Sequence, residues 1–500
     1  MRTVTAIAVA VMLVLAGCSQ APGTSTSGPN ASTQGTQSTA GLDGSKAATH
    51  PPDPGSDRLG WENGVWYNET VSVTRSDGLN DTELDAVVNR SMARVERIRK
   101  LEFEKTVPVE IISRSEFKQE QQNRTTPPKR RLFDNVKYEA LLMIGEPDDS
   151  IDVQTQNAGV SVGGYYSPKK QSIVIVSNNE SAPKMNEITL SQELFHALQD
   201  QKFDLSSFDQ TTREKHNAVD GIIEGDGNYV DYLYEQRCDD AWEGTCLTPN
   251  DDGSGGSESS GSLANMGPYL LKFQPYSDGP PFVKGIHERQ GWDGVNAVYE
   301  NPPASTEQVI HPEKYGSDEP TSFTISNSTS NGWTRLEPSG RPNYGEVGEA
   351  GILSMFMFPG YESKRQTQIV PLQQFINTKN GQVDELDPLN YVSEPSDGWD
   401  GDRIAVYTNP STPRGETGYV FETRWDSKKD ATEFVDAYEQ LLKYRNAKQV
   451  DGRVNTWTIP RKSNFSDAFY VEQRGDAVVV VNAPTVSDLP DVHAGAAPKQ

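Results

Sequence analysis

The sequence predicts an α+β protein, with a larger helical and sheet unit over residues 59–390 and a smaller α+β unit over residues 391–490. Three observations predict it. Long stretches repeat apolar residues at helical spacing. Short β-branched and aromatic runs lie among them. After Gly401 the texture changes to strand-like runs around one helix, which suits a mostly antiparallel sheet.

Trp66-Tyr67 and Val71–Val73 suggest short strands. Asp81–Leu101 predicts a helix, because Leu84, Val87, Val88, Met92, Val95 and Ile98 recur at helical spacing. Val107–Ile112 is a strand and Glu116–Gln122 opens another helix. Pro127–Arg131 reads as an exposed basic turn, and Tyr138–Met143 suits either helix or strand. Val160–Val176 predicts paired strands turning at Pro168-Lys169-Lys170. Ser181–Gln201 is a helix with Pro183 near its start, and Leu190, Leu194 and Leu198 form its core stripe. Arg213–Arg237 is the next helix.

Asn250–Ser262 consists, after Asn250, of Gly, Ser and acidic residues, an inserted loop by composition. Leu263–Phe273 and Pro281–Tyr299 are helices, the second interrupted by Gly291, with His287 at the surface or in packing. Gly345–Met357 is a helix whose Glu346 and Glu349 are expected on a solvated face. Arg403–Tyr407, Gly418–Thr423 and Ala477–Val481 are strands, with a helix over Asp430–Tyr444.

One helix carries chemistry. Residues 192–196 read Gln-Glu-Leu-Phe-His, the zinc-peptidase pattern His-Glu-x-x-His with Gln192 in place of the first histidine. In the intact pattern two histidines at i and i+4 reach one zinc, and the glutamate takes a proton from the metal-bound water. Glu193 keeps the base position, His196 keeps a ligand position, and Glu224 in Gly221–Gly227 is the candidate third ligand. A neutral amide at Gln192 is a poor substitute for imidazole, so zinc is expected to bind weakly or not at all. Glu193 and His196 also form Glu-x-x-His, but a di-metal site needs a second copy, which the chain lacks. His216 stands eight residues before Glu224. That is about two helical turns and roughly 80° of rotation, which argues against its joining the site.

Gln192–Leu205 resembles the His-Glu-Leu-x-His-Ala-Leu-x-Asp-Gln-x-Phe-Asp-Leu helix of a gluzincin-like lipoprotein family of prokaryotes. Gly164–Pro168 with Ile173–Val176, Asn301–Pro303 with Ser305–Tyr315, and Gly398–Arg403 resemble further segments of these proteins. The likeness runs from about residue 60 to about residue 490 and is nearest to haloarchaeal surface lipoproteins of unknown function. It implies a gluzincin-like, metallopeptidase-type fold, with the base role at Glu193 and ligand roles at His196 and Glu224, all dependent on what Gln192 does. His311 is a candidate cleft contact or the orienting group of a turn before Pro312.

The N-terminus predicts a location. Met1-Arg2-Thr3 and the apolar run Val4–Leu15 form a targeting signal over residues 1–17, ending in the lipobox Leu15-Ala16-Gly17-Cys18. An ordinary signal peptide with a chance cysteine is the alternative. Lipid on Cys18 would be the membrane attachment, and residues 18–58 a flexible Ser/Thr/Gly/Pro tether at the extracellular face of the membrane. In that compartment Cys238 and Cys246 are expected to form a disulfide around Asp239–Thr245 rather than a zinc pair. Eight Asn-x-Ser/Thr sequons occur, at Asn30, Asn68, Asn80, Asn89, Asn123, Asn179, Asn327 and Asn464.

The formal net charge is −25, from 71 acidic and 46 basic residues spread along the chain. Such a chain repels nucleic acid and suits a salt-rich medium. Three functions remain in play: a lipid-anchored surface protein with an inactive peptidase-like domain that binds a peptide or protein, an active zinc peptidase using Gln192, His196 and Glu224, and a structural or adhesive surface protein.

Overall fold

The computed structural model describes residues 53–73, 78–122, 125–177, 186–247, 262–411 and 416–500. Cys18, its lipobox and the tether as far as residue 52 lie outside the described residues, as do Pro183 and most of the inserted loop. Among the described residues no helix is long and apolar enough to cross a membrane.

A short hairpin, β1 (Trp61–Glu62) and β2 (Val65–Trp66), precedes α1 (Asp81–Arg99). Asn80 and Glu83 form a reciprocal capping box at the start of α1, and Lys100 closes it in the left-handed region. Next come β3 (Val109–Ser113), α2 (Arg114–Gln122), α3 (Pro128–Ala140), α4 (Ser150–Ser161), β4 (Gly164–Ser167) and β5 (Ser172–Ser177). The three strands make one mixed sheet in the order β3-β5-β4, with β3 parallel and β4 antiparallel to β5.

Two expectations change here. Pro127–Arg131 is not a free turn but the entry to α3. Pro128 occupies a first-turn position that lacks a hydrogen-bond partner anyway, and Arg131 pairs with Asp149 at 2.6 Å. Val160 lies in the last turn of α4 rather than starting a strand; that helix is opened at its other end by the Asp149 carboxylate, which accepts from the Ile151 and Asp152 N–H groups. Tyr138, Glu139 and Ala140 complete α3, and the chain then turns sharply through Leu142, whose φ is 51°.

The motif helix is α5 (Glu187–Phe203), started by the Asn186 side chain accepting from Ile188 N–H. It packs against α1, β4, β5 and α6 (Arg213–Asp240), and its central residues Leu190–Gln199 are buried all round. α6 lies against α7 (Met266–Glu300) at very short range. A Cβ on Gly225 would stand 2.5 Å from the Gly279 backbone, and one on Gly279 would stand 2.7 Å from Gly221 O. Residues 274–280, expected to separate two helices, run helically within α7 despite Pro275, Pro280 and Pro281, and the break falls at Gly291. The glycine contact buries that stretch against α6, which offsets the missing N–H donors.

After α8 (Thr306–Ile310) come β6 (Thr334–Arg335), α9 (Gly348–Glu362), α10 (Leu372–Phe375) and the small hairpin β7 (Thr378–Lys379) and β8 (Gln382–Val383). The C-terminal elements are β9 (Trp399–Thr408), β10 (Thr417–Trp425), α11 (Lys428–Tyr444), β11 (Lys448–Gln449), β12 (Thr456–Thr458), β13 (Ala468–Arg474), β14 (Ala477–Ala483) and α12 (Leu489–Val492). Seven strands form an antiparallel sheet in the order β11-β12-β13-β14-β10-β9-β6, so the expected α+β character holds. β6 places the start of this sheet well before residue 391. One core joins both halves: Tyr138, Leu141 and Leu270 pack in the same cluster as Phe356, Phe421 and Phe434.

Candidate functional site

α5 and α6 bring Gln192, Glu193, His196 and Glu224 to one place because the Glu193–His196 face of α5 looks onto the Glu224–Gly227 turn of α6. Gly227 is what lets the helices close. A Cβ there would sit 3.0 Å from His196 Cε1 and 3.8 Å from Gln192 Cγ. His196 Nε2 faces Glu224 Oε2 at 3.3 Å, a contact without the alignment of a hydrogen bond. The other ring nitrogen is fixed. His196 Nδ1 lies 2.7 Å from Gln199 Oε1, and Gln199 spends its NH₂ on Ile223 O and the Tyr299 hydroxyl. Nδ1 therefore carries a proton, and only Nε2 is left for chemistry.

This chain of contacts continues into the core. The Tyr299 hydroxyl donates to Asp226 Oδ2 at 2.8 Å, and Asp226 takes a two-point contact from Arg99 at 2.8–3.0 Å. The Arg99 guanidinium also lies 4.4 Å over the Trp292 ring. His196 is thus held by a buried network that reaches from α5 to α1 and α7.

Glu193 is held from the other side. Its Oε2 accepts from Tyr166 N–H of β4 at 2.7 Å, and the Tyr166 hydroxyl donates to Asp200 Oδ2 at 2.8 Å. The strand is therefore stapled along α5 at two points and covers the site. Gln192, Glu193, His196 and Glu224 are each no more than 5% exposed, so among the described residues the site is buried.

What remains is a small cavity lined by Tyr166, His196, Leu205, His216, Asp220, Ile223 and Glu224. Its presence corrects one expectation. His216 does reach the site region, where it lines the same cavity as Glu224 on α6. It does so as the partner of Asp220, with Nε2 3.2 Å from Oδ2. Sequence reasoning missed Asp220, although His216, Asp220 and Glu224 recur at i, i+4 and i+8.

The electrostatics follow from burial. Desolvation opposes a charge on His196, but the Glu224 carboxylate, then Glu193 and the Gln199 bond, raise its pKa to about 10. Burial first and Glu224 second push Asp220 up to about 8. Burial holds His216 well below the usual imidazole range, with Arg213 adding to it. Burial and neighbouring charge thus favour the charged form of His196 and the neutral forms of His216 and Asp220.

Zinc fits this donor set only in part. Two ligands at about 2.1 Å on a tetrahedral ion stand about 3.4 Å apart, close to the His196–Glu224 separation of 3.3 Å. Gln192 adds only an amide, and His216 and Asp220, which line the same cavity, are paired with each other. The set is one good ligand short.

The other candidates lie elsewhere. His311, the residue that closes α8, does not line the cavity; its Nε2 is 3.2 Å from Glu349 Oε1. This overturns the expectation of a solvated Glu349, whose side chain is fully buried against that histidine. His287 packs between Tyr229 and Trp292. Cys238 and Cys246 form a disulfide. The loop it closes carries Gly244 O and Thr245 O, which accept from Arg94 and Arg90.

Residues 334–493, β6 to α12, match the model of a domain of unknown function, DUF8575. No curated protein matches the chain, and no solved structure does. The matched part does not include α5 or α6.

Proposed function

We propose that this chain is a lipid-anchored cell-surface protein whose gluzincin-like core has lost peptidase chemistry and keeps the motif as a closed structural joint. One observation carries this reading: Glu193, His196 and Glu224 converge in a single buried site while Gln192 stands where the fourth group should be. The base position is occupied by a backbone N–H of β4, and the ligand position by an ion pair. A peptide or protein partner would accordingly dock outside the cavity. The lipobox ending at Cys18 and the polar tether support the anchoring at the extracellular face.

An active zinc peptidase using Gln192, His196 and Glu224 is the second reading. The fixed Nδ1 proton and the 3.3 Å spacing favour it, since both suit a ligand pair. In that case zinc would supply a Lewis acid and an acidified water, with Glu193 as the proton acceptor.

Elemental analysis of the purified chain, beside Glu224→Ala and Gln192→His variants, separates the two. We expect no stoichiometric zinc in the natural chain and about one equivalent once Gln192→His completes the set. Stoichiometric zinc in the natural chain that disappears with Glu224→Ala would overturn the inactive reading.

A further inference from the structure

A second pocket lies between α3, the start of α6 and the loop that leads from β6 to α9. Its lining includes Arg130, Asp134 and Lys137 of α3, Thr212 and Arg213 where α6 begins, and Arg341 of the loop. It shares no residue with the His196 cavity. The loop is fixed in place. Gly345 exchanges both backbone hydrogen bonds with Ile404 of β9 at 2.8 Å, and a Cβ on it would stand 3.4 Å from Lys137 Cδ. Four cations thus converge on one pocket in a chain with 71 acidic and 46 basic residues, where chance would gather acids instead.

The acid in the pocket does not balance them. Asp134 accepts from Lys137 Nζ at 2.6 Å, from Ser150 Oγ at 2.8 Å and from Gln154 Nε2 at 2.9 Å. That pairing accounts for Lys137, which is buried. Glu346, next to the pocket, accepts from the Thr212 hydroxyl at 3.0 Å and lies 3.5 Å from Arg403. Among the described residues none of the half-buried Arg130, Arg213 and Arg341 forms an ion pair. Arg213 Nη1 lies 3.4 Å from Asn217 Oδ1, and its buried Nε has no hydrogen-bond partner. Arg213 is also the first residue of a 28-residue helix, at the positive end of its dipole. Burial first, then Arg130, lowers the Arg341 pKa to about 10, and burial first, then Arg213, lowers that of Lys272 on α7 to about 7. Like charges are held together here at a cost that an anion among them would remove.

Guanidiniums recognise oxyanions through paired N–H donors, and three of them present more donors than one carboxylate can accept. Lys137 is matched by Asp134, which leaves the three arginines in surplus and suits a dianion. A phosphate or sulfate group carries that charge and offers oxygens in several directions at once. We propose that Arg130, Arg213 and Arg341 bind a tetrahedral oxyanion, a phosphate or sulfate group, between α3, the start of α6 and the loop at 338–345. Arg341 belongs to the segment that matches DUF8575 and the other two precede it, so the bound group would tie that segment to the rest of the chain.

The test is titration calorimetry of the full chain with inorganic phosphate and with inorganic sulfate, at an ionic strength held fixed with NaCl, alongside thermal unfolding. One saturable site is expected, and about a hundredfold excess over its dissociation constant should raise the midpoint by about 3 °C. Arg341→Gln, and separately Arg130→Gln, should weaken binding by about tenfold or more. The anion-free midpoint of each variant should stay level or rise, because each removes an unpaired like charge, and this keeps a lost site distinct from a lost fold. A midpoint that climbs without saturating, and equally in both variants, is general salting-out and would overturn the proposal. So would acetate binding as tightly as phosphate. Glycerol phosphate tells the source of the group: affinity above that of inorganic phosphate assigns the site to an ester on a larger molecule, and affinity at or below it to the free ion.

Discussion

Glu187, the first residue of the motif helix, shows how a single side chain is made indispensable. Its two oxygens take Arg90 at 2.8 Å and Arg94 at 2.7 Å, and it also accepts from Tyr234 and from Leu247 N–H. All three charged side chains are at most 1% exposed. Burial alone would raise the Glu187 pKa, but Arg90 and then Arg94 outweigh it and hold the carboxyl below its usual range. A depressed carboxylate stabilises the fold above its unfolded value near 4.3, and that contribution is lost as pH falls toward the lower folded value. Glu187→Gln should therefore cost about 3–5 kcal/mol by leaving two guanidiniums buried without their counter-ion. Urea titrations at neutral pH and near pH 4 would measure it. Equal stability of variant and parent at neutral pH would refute the argument.

At the scale of elements, the site depends on how closely α6 approaches its neighbours. Gly225→Ala should destabilise the protein by about 1–3 kcal/mol or more, because the new methyl meets rigid backbone at 2.5 Å rather than a movable side chain. A chemical-denaturation midpoint unchanged in this variant would show that α6 and α7 are less tightly apposed. The disulfide acts on the same framework. It closes the loop whose carbonyls receive Arg90 and Arg94, and Leu247 beyond it pairs reciprocally with Glu187. Cys238→Ser should lower stability by about 2–3 kcal/mol through the loop entropy released in the unfolded chain. Calorimetry with and without reductant would check it, and only the parent should respond to reduction.

For the whole molecule, charge and the shared core decide behaviour. A net charge of −25 repels itself across the folded surface, and molar salt shortens the screening length to about 3 Å. The unfolding midpoint should climb with NaCl and level off. A midpoint flat from low to molar salt would contradict this account. The core makes the halves interdependent, since Phe434 of α11 packs on Phe356 of α9, which precedes residue 391. A fragment of residues 391–500 also lacks β6, so it should show no cooperative transition by circular dichroism.

Periodicity and motif made much of this legible in the sequence. Leu84 to Ile98 marked α1, the apolar runs at 403–407 and 477–481 marked β9 and β14, and residues 192–196 marked the helix that carries the site. These are local signals, because side-chain spacing along one element reports which face is buried. The sequence by itself also set the chemistry available, with Gln192 where a ligand is needed. Only the tertiary structure decided that β4 closes over Glu193, that His216 and Asp220 share the cavity, that Glu349 is buried against His311, and that Arg130, Arg213 and Arg341 line one pocket. Those facts depend on residues far apart in the chain, and burial sets the state of a carboxylate or imidazole only once its neighbours are in place.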